Sequence, residues 1–119
     1  ISHSGVYVAI IISDTVVGID IETINERVQK IKSKYLETEL NYPLELNTET
    51  LLVYWNIKES IFKALDKPGI DFKKNMLVPP LDMNKNLVKS WYIDEDRIYS
   101  FDTRFKISKK YTLAFVIKN

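Results

Sequence analysis

Val17-Gly18-Ile19-Asp20-Ile21-Glu22 sets two carboxylates, one residue apart, inside an otherwise apolar run. Side chains of an extended chain alternate between faces, so this stretch reads as a strand with Asp20 and Glu22 on one side and Ile19 and Ile21 directed into the core. Two acids sharing one patch repel each other unless solvent spreads their charge or a cation sits between them. A strand end with two solvated acids is the plain reading. A cation site is the sharper one.

Outward from this strand, a second stretch carries a third acid: Trp55-Asn56-Ile57-Lys58-Glu59-Ser60-Ile61-Phe62-Lys63. As a helix it aligns Trp55, Glu59 and Lys63 along one face, with Leu51, Leu52, Ile61, Phe62 and Leu65 supplying apolar packing. Asn47 or Thr48 caps this helix, which runs to about Leu65 and is stopped by Lys67-Pro68-Gly69. Glu59 and Lys63 are spaced for an ordinary surface ion pair of small energetic weight. If the helix packs on the strand, Asp20, Glu22 and Glu59 can instead converge on one hard divalent cation. Carboxylates without histidine or cysteine favour magnesium or manganese over zinc, and magnesium commonly shares its sphere with substrate phosphates. Lys63, one turn beyond Glu59, can balance a phosphate or protonate a leaving group.

The rest of the chain supplies the sheet. Val6 to Ser13 is rich in β-branched residues and reads as a buried strand, turning at Asp14-Thr15 into a second strand, Val16 to Ile21. Thr23 or Asn25 caps a helix to about Leu36, in which Ile24, Val28, Ile31 and Tyr35 recur at helical spacing. Lys30, Lys32 and Lys34 form a solvated face there, or dock an acidic partner. Glu37 to Tyr42 makes a short helical turn before Pro43, and Met76 to Val78 a short extended piece. Three strands close the chain: Leu87 to Ile93, Arg97 to Lys106 and Lys110 to Lys118. The class expected is α+β, a mainly antiparallel sheet packed with two helices, in one domain spanning residues 1–119.

Composition narrows the function. With 45% apolar and 28% charged residues the chain is globular rather than disordered. A net charge of +1 offers no footprint for nucleic acid. The absence of cysteine removes disulfides and thiolate metal sites and suits the cytoplasm. The longest apolar run, Val6 to Ile12, is too short to span a bilayer, so no membrane partner is expected. The opening Ile1-Ser2-His3-Ser4-Gly5 has no initiator methionine and no signal-peptide pattern, and suggests that something precedes residue 1. His3, the single histidine, reads either as a frayed terminal residue or as a phosphate contact flanked by two hydroxyls. Trp55 is placed to pack and hold its helix.

Ser2-His3-Ser4, Gly18-Ile19-Asp20-Ile21-Glu22 and Trp55 to Lys63, in that order, together resemble the signature blocks of the 4'-phosphopantetheinyl transferase superfamily. The resemblance runs from residue 1 to about Ile70, and Tyr111-Thr112-Leu113-Ala114-Phe115-Val116 is similar to the family's last strand. Such enzymes move the phosphopantetheine arm of coenzyme A onto a serine of a carrier protein and release adenosine 3',5'-bisphosphate. The resemblance implies that Asp20, Glu22 and Glu59 hold Mg2+ with the coenzyme A pyrophosphate, and that Ser2 and His3 contact a coenzyme A phosphate. It also makes Glu59 the base for the carrier serine, directly or through water. Lys63 would neutralise the pyrophosphate, with Lys58 a weaker phosphate contact.

Block order speaks to subclass. In the short, trimeric holo-acyl-carrier-protein synthases the Gly-Ile-Asp block comes near the start and the Ser-His block near the end. Here the histidine block comes first, as in the longer surfactin-type enzymes built of two similar halves. The chain therefore resembles the C-terminal half, to be completed by a second copy of itself, a separate partner or an N-terminal half. The implied partners are coenzyme A and an acyl or peptidyl carrier protein. Two other readings use the same residues: another metal-dependent phosphoester enzyme, and a non-catalytic module that binds carrier protein.

Overall fold

A computed structural model describes all residues, 1–119. Its centre is the helix α2, Thr48–Leu65. Leu51, Leu52, Val53, Tyr54, Ile57 and Ile61 are each fully buried, and Thr50, Asn56, Lys58 and Ser60 are buried as well, so the helix is enclosed on most of its sides and belongs inside the molecule. Asn47 caps it, its side chain accepting from the Thr50 N–H at 2.9 Å. Asp66, in the left-handed conformation at φ 46°, ends it. A second helix, α1 (Arg27–Tyr35), packs on α2 and is followed by a 3-10 turn, Thr38–Asn41.

Five antiparallel strands form the sheet on which α2 lies. They are β3 (Val17–Thr23), β4 (Met76–Leu77), β5 (Leu87–Ile93), β6 (Ile98–Ile107) and β7 (Tyr111–Lys118), in the spatial order β3-β7-β6-β5-β4. β6 and β7 present Phe101, Phe105, Ala114 and Val116 to the core. Burying a Val or Phe side chain contributes about 1.5–3 kcal/mol, so this layer adds substantially to stability. The class is α+β with a mainly antiparallel sheet, as the sequence implies.

The N-terminal hairpin differs from expectation. β1 (Ser2–Ser4) and β2 (Tyr7–Ala9) pair with each other around Gly5, which sits at φ 57°. The run Val6 to Ser13 is not a buried strand: beyond the short β2 it has no regular structure, and Val6, Val8, Ile10 and Ile12 are 91%, 64%, 62% and 91% exposed. Nor does it pair with the acid-bearing strand, since β3 joins β7 in the register Gly18 to Val116, Asp20 to Ala114 and Glu22 to Thr112. β1 instead lies along the free edge of β3 and bonds to it through side chains. The Ser2 hydroxyl accepts from the Ile21 N–H at 3.1 Å and the Ser4 hydroxyl from the Thr23 N–H at 3.0 Å. Two serines at strand spacing thus satisfy two edge amides that no neighbouring backbone reaches.

Candidate functional site

The three sequence blocks meet at the seam between β3 and α2. Gly18 makes the approach: a methyl group there would lie 1.9 Å from the Ser60 carbonyl oxygen of α2, so only a residue without a side chain fits. Its strand parity carries Asp20 and Glu22 to the same, helix-packed face, while Ile19 and Ile21 are buried on the opposite face of β3, outside the principal core. The expectation that the isoleucines point into the main core is therefore reversed. The acids face the helix because α2 offers them donors.

Asp20 is only 3% exposed and has three hydrogen-bond partners, two on Oδ1 and one on Oδ2. Its Oδ1 accepts from the Ser2 hydroxyl at 3.1 Å and from Lys63 Nζ at 3.0 Å, and its Oδ2 from Asn56 Nδ2 at 2.9 Å. Lys63 thus pairs across to β3 and forms no ion pair with Glu59 on its own helix. It also donates to the Ile19 carbonyl at 3.3 Å and keeps about a third of its side chain in solvent. Glu22 lies near Ser4, whose hydroxyl is 3.5 Å from Oε2.

Charge crowds this seam. Burial first, then the Asp20 charge, and more weakly Glu22, push the Glu59 carboxyl up to about 7, with Lys63 pulling it back. Burial and the Asp20 charge likewise raise Glu22, against Trp55, Lys63 and Ser4. Three carboxylates and one ammonium leave a local excess of negative charge. All donors are oxygens, which suits a hard divalent cation, although no three acids are close enough here to form a closed cage. A cleft of about 70 Å³ opens beside Glu22, between Trp55, Leu52 and Arg27. A larger groove, of about 290 Å³, lies on the far face of the sheet around Leu87, Arg104 and Phe115, away from the acids.

Two expected phosphate contacts are placed otherwise. Lys58 is fully buried, its ammonium 2.7 Å from the Tyr35 carbonyl, 3.0 Å from that of Phe72, 3.2 Å from that of Met76 and 3.2 Å from Glu39 Oε2. Every donor is engaged inside the fold, so Lys58 is a structural strut with no donor left for a phosphate. Burial lowers its pKa, and Glu39, itself fully buried, counters that shift only in part. Ser2 is also buried, and its hydroxyl serves Asp20 and the β3 edge. His3, on the alternate side of β1, is exposed. Trp55 packs edge-on against Tyr35, with ring centroids 5.2 Å apart, and lies 5.9 Å from Phe72.

Asn56, to which the sequence pattern assigns no role, is fully buried between Asp20 and Thr112 of β7. The signal is present: Asn56, Ser60 and Lys63 recur at i, i+4 and i+7, a polar stripe that turns out to face the sheet, where Ser60 Oγ lies 3.1 Å from the Ala114 carbonyl.

No individual curated protein matches the chain. A family model does, that of ACPS, the 4'-phosphopantetheinyl transferase superfamily, over residues 16–116, a span that takes in β3, α2 and nearly all of β7. The acid-bearing strand, the helix packed on it and the strand beside it thus lie within one matched segment, and the chain belongs to the 4'-phosphopantetheinyl transferase superfamily.

Proposed function

We propose that this chain catalyses magnesium-dependent transfer of the 4'-phosphopantetheine arm of coenzyme A to a serine of an acyl or peptidyl carrier protein, releasing adenosine 3',5'-bisphosphate. The observation that carries this reading is the β3–α2 seam, where Asp20, Glu22 and Glu59 crowd one another beside Lys63. Asp20, Glu22 and Glu59 would hold Mg2+, which when bound offsets the charge of the pyrophosphate. Without a cation, burial and the Asp20 charge raise the Glu59 pKa to about 7, so it holds a proton more readily than an ordinary carboxylate, and a bound cation would draw that value down and leave the carboxylate free to act as general base. It takes the proton of the carrier serine as that oxygen bonds to the pantetheine-side phosphorus and the bridging P–O bond to the adenosine bisphosphate breaks. Lys63, already held beside Asp20 and partly in solvent, balances the charge on the departing phosphate. His3, exposed on β1, contacts a coenzyme A phosphate, while Ser2 contributes by holding Asp20.

The order of the blocks favours the surfactin-type arrangement, with this chain as the C-terminal half and activity supplied on pairing with a second copy or an N-terminal half. The deciding experiment is the intact mass of an apo carrier protein incubated with this chain, coenzyme A and Mg2+. A gain of one phosphopantetheine arm, lost in Glu59→Gln, is expected. Consumption of coenzyme A with no change in carrier mass would favour a phosphoester hydrolase instead.

A further inference from the structure

Asp20 can offer a fixed carboxylate only if something sets its plane, and the side chain that does so on the inner side is Asn56. The Asn56 amide nitrogen donates to Asp20 Oδ2 at 2.9 Å, and its amide oxygen accepts from the Thr112 hydroxyl. Asn56 and Thr112 are both fully buried, so neither hydroxyl nor amide has water to turn to. The direction of the amide follows from the acid: a carboxylate only accepts, so the amide nitrogen faces Asp20 and the amide oxygen is left to take the Thr112 hydroxyl hydrogen, which braces the amide from its far side. Thr112 stands beside Glu22 in the β3–β7 register, which ties the relay to the sheet that carries both acids. On the other side, Asp20 Oδ1 is shared by Ser2 and Lys63. We propose that Asn56, braced by Thr112, is a positioning residue that fixes the Asp20 carboxylate for cation binding. The inference rests on the proposed metal role of Asp20, and adds to it a control point on α2 and β7 that touches neither substrate nor cation.

The test is Mn2+ affinity, followed by electron paramagnetic resonance with coenzyme A present, for the unmodified chain and for Asp20→Ala, Asn56→Ala, Thr112→Val and Ile57→Val. Loss of an outer partner of a metal ligand typically weakens affinity about 10–100-fold. Asn56→Ala and Thr112→Val are expected to fall in that range, the second with little change in volume, so it carries the test if Asn56→Ala does not fold. Ile57→Val, a core change that leaves the relay intact, is expected to bind Mn2+ as the unmodified chain does. Should Asp20→Ala lose Mn2+ while Asn56→Ala and Thr112→Val keep it, the positioning role is overturned. It is equally overturned if Ile57→Val weakens Mn2+ as much as Thr112→Val at a matched loss of urea stability. If the unmodified chain binds no Mn2+, or Asp20→Ala binds it equally well, the metal reading itself has failed.

Discussion

Replacing Gly18 by alanine should unseat the acid-bearing strand from the central helix. The added methyl would stand 1.9 Å from the Ser60 carbonyl oxygen and 3.1 Å from the Ala64 nitrogen, whereas ordinary contact begins at 3.4 Å. Both neighbours are backbone, so no rotamer change relieves the overlap. Strand and helix must part by roughly 1.5 Å, the shortfall from ordinary packing distance. That shift would carry the Asp20 bonds to Asn56 and Lys63, now 2.9 and 3.0 Å, beyond hydrogen-bonding range. Overpacking costs about 1–3 kcal/mol, and each lost hydrogen bond about 1 kcal/mol more. The expected loss, about 3–5 kcal/mol, is a large share of the roughly 5–15 kcal/mol typical of a domain. Urea unfolding followed by tryptophan fluorescence measures it, with Gly69→Ala as reference. Gly69 has open space around it and a φ of 78°, so its cost is conformational only, about 1 kcal/mol. A Gly18→Ala loss no greater than that of Gly69→Ala would refute the close-approach argument.

Three further outcomes are expected. Glu59 has a raised pKa in the folded chain, so its ionisation opposes folding: stability falls as pH rises from about 4.5 to about 7, and the cost persists above that. In chelator-treated protein Glu59→Gln is therefore expected to be more stable than the parent by about 1–2 kcal/mol at pH 8, after allowing for partial exposure, and equal to it at pH 4; a less stable variant at pH 8 would contradict this. Lys58→Met leaves the buried Glu39 charge unpaired and should cost about 3–5 kcal/mol in urea, without raising the KM for coenzyme A. A raised KM with unchanged stability would return Lys58 to the phosphate site. Lys63→Ala is expected to lose turnover with a smaller loss of coenzyme A binding by calorimetry, and an unchanged rate would remove it from the mechanism.

The long helix and the C-terminal strands were legible because their signals are local. An asparagine cap, a lysine-proline-glycine stop and alternating apolar residues locate α2, β5, β6 and β7 to within a residue or two. The N-terminal arm was misread because β-branched residues have the same composition whether buried or exposed, and Val6 to Ile12 is largely the latter. The partner of β3 could not be read locally, since β7 lies at the opposite end of the chain. Lys58 sits in the same block as Glu59 and Lys63, and only the tertiary fold reveals that it turns inward to Glu39 while its neighbours turn to β3.

The serine contacts along β3 also determine how the arm can err. Because strand side chains repeat every two residues, sliding β1 by one position would set His3 against Asp20 and leave both edge amides facing residues without a hydroxyl. Sliding by two would bring Ser4 to the place of Ser2, but Val6 to the place of Ser4. Only one alignment supplies a hydroxyl to each amide and a donor to the acid at once. The arm is thus registered by side-chain chemistry rather than by a backbone ladder, and the same contact that aligns it also completes the environment of Asp20.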